Sequence, residues 1–475
     1  MSHLSGRVVL FLKAIIFLIA AAHSSHAWAS SNMPEVSLIL PLYTGIPFLG
    51  VLLSIALLPI LVPRFWHRFE NILLGGWTIL SLGMLLKILG GNFLGSTLFG
   101  VAVHEYLPFI ILLTTLYIIG SGFYIRLKAK ATPIANANFL LIGSLLASLI
   151  GTTGAAMLLL RPFIHMNQGR TYRSHSIIFF IFIVANIGGC LTPLGDPPLF
   201  LGYLNGIDFF WPFQNLTLPF LITVFPLLII YYGIDSWLIK KETVKIVPRH
   251  QLEKFSLEGK LNIILLAGVL IVLIGSNFVD FLPTYLILDQ QVSLSHVLRD
   301  VILLILAFVS YRTTPASIHH HQHFSWGPIL EIARVFAAIF ITMIPLSIML
   351  RMGEVGPFSS LLHFTNTGHR PFIYFWLTGI FSAFLDNAPT YLIFFKMAGG
   401  NPDILMTTHT KILMAISLGA VFMGAMTYIG NAPNFMVRSI AKQSGIVMPS
   451  FLGYMGWSCC ILLPLFVGLT LWLFW

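Results

Sequence analysis

The chain has 475 residues, of which 57% are hydrophobic and only 9% charged, with a mean hydropathy of +0.90. That composition specifies a polytopic helical membrane protein and leaves no polar stretch long enough to build a sizeable soluble domain. The net charge of +10 does not point to nucleic acid, because the cations sit in short linkers between apolar runs, as cytoplasmic loops require.

The N-terminus reads as a cleavable signal peptide over residues 1–29. Arg7 and Lys13 flank or punctuate an apolar core from Val8 to Ala22, and Ala27-Trp28-Ala29 offers a small-residue cleavage site. The mature N-terminus then starts outside the cytoplasm.

Apolar runs follow near residues 37–62, 72–90, 105–125, 133–160, 176–202, 217–239, 261–283, 297–311, 327–350, 371–399, 411–435 and 451–475. The first span delivers Arg64, His67 and Arg68 to the cytoplasm. The second returns to a loop, 91–104, without Lys or Arg, and the third delivers Arg126, Lys128 and Lys130 inside. The run 133–160 is followed by Arg161, Arg170 and Arg173, which a simple span would put outside. A re-entrant hairpin keeps both flanks inside, with Gly151-Thr-Thr-Gly154 as its broken middle.

Run 176–202 crosses outward to a loop, 203–216, lacking Lys and Arg, and the next span delivers Lys240, Lys241, Lys245 and Arg249 inside. The charged linker near residues 240–260 divides a first transmembrane half, 30–245, from a second, 246–475. In the second half 327–350 crosses outward, 371–399 is a hairpin entered from outside, and 411–435 returns to Arg438 and Lys442. The last span leaves the C-terminus outside, and Arg351 and Arg370 are exceptions to the charge bias. The halves repeat in order: a span opening with a glutamate (Glu105; Glu331), a hairpin, a broken span, a closing span. Opposite polarity makes the repeat inverted, although direct sequence identity between the halves is weak.

Residues 185–206 concentrate the chemistry. The stretch is apolar enough for a membrane yet holds Gly188, Gly189, Gly195, Pro193, Pro197, Pro198 and Asp196. Freed backbone groups and a charge would cost several kcal/mol in hydrocarbon, so such backbone survives only inside protein or beside a watery cavity. Phe384-Leu-Asp-Asn-Ala-Pro-Thr-Tyr391 has the same character in the other half. Asp196 and Asp386 are the leading ion-site candidates, because ionisable groups at membrane depth are rare and by default functional. Desolvation disfavours the charged form of a carboxylate, which lets such a group trade a proton for a cation. The bland alternative is that each aspartate caps a half-helix.

Thr152, Thr153, Thr192, Thr390 and Thr427 offer hydroxyls beside the breaks, and Asn186, Asn387, Asn431 and Asn434 offer amide oxygens. Pro193, Pro389 and Pro433 free carbonyls by removing an N–H. Such oxygen-rich, uncharged ligands plus a carboxylate suit Na⁺, whereas half-helix N-termini would suit an anion. Composition does not decide between them. Glu105 and Glu331 are gate or salt-bridge candidates, with Arg334 an i,i+3 partner for Glu331. His319, His320, His321 and His323 read as a solvated loop. Cys190, Cys459 and Cys460 read as small buried hydrophobes without metal-ligand spacing.

Asn186-Ile-Gly-Gly-x-x-Thr-Pro-Leu-Gly-Asp196-Pro, Leu385-Asp-Asn-Ala-Pro389 and Gly430-Asn-Ala-Pro-Asn434 resemble the ion transporter superfamily. This group holds NhaD-type sodium/proton antiporters, arsenite permeases and citrate transporters. The resemblance, closest to the bacterial branch of sodium:proton antiporters and citrate transporters, extends to His104-Glu-Tyr-Leu-Pro108 and Trp326-x-Pro-Ile-x-Glu331. It implies an all-α fold of two inverted repeats, each with a re-entrant hairpin and a broken helix, ion sites at the hairpin tips, and homodimers among its members. Where the dicarboxylate branch shows Ser-Asn-Thr at those tips, this chain has Gly151-Thr-Thr and Asp386-Asn-Ala, which favours cation exchange.

The expectation is therefore a secondary transporter of the bacterial inner membrane, with both mature termini periplasmic. It exchanges Na⁺ for H⁺ and needs no cofactor and no metal other than transported Na⁺. Cation-coupled import of a carboxylate such as citrate is the alternative, and an oxyanion such as arsenite the third. Leu194-Gly-Asp196 partly resembles the G-x-G-D motif of intramembrane aspartyl proteases, but it lacks the first glycine and a Tyr-Asp partner, and Pro197-Pro198 would break the helix. No P-loop pattern supports a primary pump.

Overall fold

The computed structural model describes residues 40–475 apart from 127–129, 243–255, 277, 280–281, 323, 353–355 and 360–369. The expected signal peptide, together with Lys128, Lys245, Arg249 and His323, lies outside the described residues. The protein is an all-α polytopic membrane protein. Among the described residues nine helices are long and apolar enough to cross a membrane, and Leu261–Ser276 and Thr410–Met426 are shorter apolar helices.

The helices α1 (Ile46–Leu61) and α2 (Pro63–Leu89) open the chain. The predicted loop at 91–104 is instead helical. Gly90, at φ +76°, breaks the chain, and α3 (Gly91–Val101) then runs through a π-helical turn, Ala102–Tyr106, into α4 (Leu107–Ser121). The segment has no Lys or Arg to draw it into water, and 31 residues form one long candidate span. Its π turn, which holds Glu105, is a form frequently found at functional sites.

The short strand β1 (Tyr124–Arg126) follows, and then α5 (Pro133–Ile150) and α6 (Thr152–Met166) fold back on each other. Gly151 between them has φ +81°, a conformation that suits glycine and little else. Helix α7 (Ser174–Ile183) is buried at every position from His175 onward, which explains why Ile177 to Val184 is apolar all round rather than on one face. It ends in a 3-10 turn, Ile187–Leu191, followed by irregular chain and α8 (Pro197–Leu204). Helix α9 (Trp211–Ile239) closes this half.

Strand β2 (Ser256–Glu258) pairs antiparallel with β1, with Ile125 opposite Leu257. Next come α10 (Leu261–Ser276), a hairpin of β3 (Thr284–Ile287) and β4 (Gln290–Ser293) that the hydropathy did not reveal, and α11 (Leu294–Thr313). The histidine tract expected as a solvated loop forms the short helix α12 (Ala316–His321). Its His319 ring packs on Tyr311 and Phe324.

Helix α13 (Gly327–Arg351) precedes a second helical pair, α14 (Arg370–Phe384) and α15 (Asn387–Met397). After the short α16 (Pro402–Thr407), α17 (Thr410–Met423) ends in a 3-10 turn, Gly424–Met426. Then α18 (Ala432–Gln443) and α19 (Phe451–Phe474) complete the chain. Each half thus holds a helical hairpin followed by a helix, a break and a second helix. The second helix pair and break pack against the first, through α15 on α8 and α17 on the 3-10 turn after α7.

Candidate functional site

The two breaks are built by the same hydrogen bonds. Thr192 Oγ1 donates to the Ser148 carbonyl, and Leu194 N–H donates back to Thr192 Oγ1. In the second half Thr427 Oγ1 donates to the Ala383 carbonyl at 2.5 Å, and Ile429 N–H donates to Thr427 Oγ1. Each threonine therefore ties its break to the first arm of its own hairpin. The chain also crosses itself closely at both places. A Cβ on Gly195 would collide with the Gly189 carbonyl oxygen, and one on Gly430 would lie 2.6 Å from that of Gly424. Glycine is required there because backbone touches backbone.

The register of this match places Asp196 and Asn431 at equivalent points, each at the N-terminus of the helix after the break. They are 235 residues apart. Thr152 and Asn387, at the same spacing, each begin the second arm of a hairpin. All four meet. Asp196 Oδ1 accepts from Thr152 Oγ1 at 2.8 Å and from Asn431 Nδ2 at 3.0 Å, while Oδ2 accepts from Asn387 Nδ2 at 2.5 Å. The Asp196 side chain is buried, and its hydrogen-bond partners are neutral.

Asn431 also donates to the Ala185 carbonyl, and Asn186 Nδ2 donates to Asn434 Oδ1 at 2.7 Å and to the Ile181 carbonyl. Asn434 in turn donates to the carbonyls of Gly424 and Thr427. These amides cap the carbonyls that the breaks release. Two buried amide oxygens, Asn387 Oδ1 and Asn186 Oδ1, have no hydrogen-bond donor among the described residues. A buried acceptor without a donor carries a desolvation cost of about 1–3 kcal/mol, and a cation would relieve it.

The remaining candidates do not bond to Asp196. Asp386 is only half-buried and caps α15, accepting from Ala388 N–H at 3.1 Å. Thr390 bonds back to the Asp386 carbonyl inside that helix. Pro389 and Pro433 lie in the first turns of α15 and α18, where a missing N–H leaves no intrahelical bond unmade. They start helices rather than free carbonyls. Gly188 lies against the Ser144 backbone, and a Cβ there would come within 2.7 Å of it. Thr153 and Pro193 line a cavity of about 40 Å³ that reaches Asp196, enclosed by α4, α13, the α5–α6 turn and the first break. Its lining contains no Lys, Arg or His.

Glu331 is exposed in α13, and Arg334 on the same helix donates to Asn71 Oδ1 at 2.8 Å and approaches Glu70 at 3.8 Å. Glu105 instead meets Lys396, at 3.3 Å. Sequence reading passed over Lys396 and a second polar group. Asp235 of α9 accepts from Arg170 at 2.8 Å and Asn136 at 3.1 Å and lies 2.9 Å from His175 Nε2, with Glu242 on the other side of Arg170. Asn136 and Asn167 exchange amide hydrogen bonds across the open end of the α5–α6 pair. A lone ionisable residue inside an apolar run was the signal for both Lys396 and Asp235.

Among known protein families, one described as "Putative citrate transport" matches residues 37–475. The chain belongs to this family. Family membership makes it a citrate transporter-like secondary transporter and a multi-pass membrane protein. No curated protein matches the chain.

Proposed function

We propose that this family member is a secondary active transporter whose coupling site is Asp196, where Na⁺ and H⁺ compete, so that it works as a sodium:proton antiporter by alternating access. The observation that carries the reading is a buried carboxylate whose three donors are all neutral side chains. A charge of that kind, lacking a cationic side-chain partner, binds a proton or a small cation readily. Hydroxyl and amide oxygens close by suit a hard monovalent ion. The cavity beside it, about 40 Å³, has room for a bare cation and a water or two.

Cation-coupled citrate transport is the second reading, favoured by the family description. The absence of Lys and Arg from the cavity lining weighs against it, since a tricarboxylate beside an ionised Asp196 would be repelled. Under this reading the anion enters only with cations that neutralise the site. The proposed orientation follows the basic linkers, with Arg64, Arg68, Lys240 and Lys241 cytoplasmic and both mature termini periplasmic in a bacterial inner membrane.

The deciding experiment uses everted vesicles carrying a preset proton gradient read by a pH dye, with Na⁺, Li⁺, K⁺ and citrate added in turn. Collapse of the gradient by Na⁺ or Li⁺ alone supports antiport. Silence to cations, with uptake of labelled citrate in right-side-out vesicles, overturns it in favour of the carboxylate reading.

A further inference from the structure

The Lys396 side chain is 8% exposed, and its ammonium sits between Glu105 Oε1 at 3.3 Å and Ser347 Oγ at 3.1 Å. It therefore joins three elements: the second arm of the second hairpin, the π turn ahead of α4, and α13. Asn387 at the other end of the same arm, roughly 14 Å away along the helix axis, donates to Asp196. The position repeat-related to Lys396 is Arg161 on α6, whose guanidinium reaches the Gln322 carbonyl at 3.5 Å and, among the described residues, no carboxylate. The cavity leading to Asp196 includes Tyr117 and Ile329. Tyr117 is displaced from Glu105 by roughly 18 Å along its helix. One end of the α4–α13 pair is thus closed by an ion pair, while the cavity lies towards the other.

From this we infer that Lys396–Glu105 is a conformational latch. It holds the α14–α15 hairpin against α4 and α13 in the state whose cavity extends from Asp196 towards the Tyr117 end, and it breaks when the site turns to the opposite face. The inference rests on the alternating-access reading above. A partly buried ion pair made in one of two states biases their equilibrium by its differential energy. Glu105 needs no contact with the transported ion for this, and the π turn gives its side chain a position that a regular helix would rotate away.

The test reads conformation instead of transport. Cys190, Cys459 and Cys460 are replaced by alanine, and single reporter cysteines are introduced as Thr153→Cys, in the cavity, or Ala388→Cys, its buried repeat counterpart. Alkylation by a water-soluble maleimide is followed in detergent. Lys396→Met is expected to slow Thr153→Cys labelling and speed Ala388→Cys labelling, each by about fivefold or more. The charge swap Glu105→Lys with Lys396→Glu is expected to restore both rates. Unchanged rates in Lys396→Met overturn the latch, as does a folded swap variant that labels like Lys396→Met. If Lys396→Met fails to fold, Lys396→Gln and the swap decide by the same rates. A reciprocal labelling shift in a protein that exchanges neither cations nor citrate would leave the latch standing and remove the sodium:proton and citrate readings instead.

Discussion

Asp196 and Asn431 are repeat-related, 235 residues apart, and hydrogen-bonded to each other at 3.0 Å. The pair is a carboxylate and its own neutral isostere, so a near-symmetric cluster of four side chains carries one acidic group.

Asp196→Asn removes that group with almost no change of volume. Cation-coupled transport is expected to be lost while the protein still inserts and purifies. A gradient-collapse assay on vesicles with matched expression checks this, and wild-type turnover would refute the site.

Asn387→Ala withdraws the donor to Asp196 Oδ2. A hydrogen bond to a charged group is worth about 1.5–3 kcal/mol. Half-saturation for the coupling cation is expected to shift by roughly ten- to a hundredfold, measured as transport rate against Na⁺ concentration. An unchanged value would mean that the hairpin tip does not contribute.

Asp386 separates the two aspartates. Its carboxylate caps α15 through Ala388 N–H, and asparagine caps as well as aspartate. Asp386→Asn is therefore expected to keep most of its transport, while Asp386→Ala loses about 1 kcal/mol of stability. Loss of transport in the asparagine variant, with normal thermal stability, would place Asp386 among the ion ligands.

Asp235→Ala leaves Arg170 and His175 buried without their shared acceptor. Breaking a buried pair on one side costs about 3–5 kcal/mol, so thermal unfolding in detergent is expected to occur at a clearly lower temperature. An unaltered melting curve would show that the network contributes little.

The broken helices were legible because glycine, proline and aspartate clustered inside an apolar run mark irregular backbone at membrane depth. A residue-level match between the two breaks went unread in the sequence. Gly189-Cys-Leu-Thr-Pro-Leu-Gly-Asp-Pro-Pro198 aligns with Gly424-Ala-Met-Thr-Tyr-Ile-Gly-Asn-Ala-Pro433, and the weakness of identity elsewhere hid it. Partnerships were not legible. Nothing in the order of residues distinguishes Asn387, which reaches Asp196 across the halves, from Asp386 beside it, which turns back to its own backbone. The helix at 91–101 was missed because Gly90 and Gly91 suggest a loop, whereas a single glycine with positive φ sufficed for the turn.

The charge state of Asp196 decides which way the Asn387 amide faces. An ionised Asp196 only accepts hydrogen bonds, so it compels the amide to present its NH₂ face. A protonated Asp196 has an O–H to give, and the amide gains by rotating its oxygen inward. Under the proposed proton exchange, the side-chain orientation of one hairpin's tip would copy the charge on the opposite half, a one-bit memory of whether the proton is aboard.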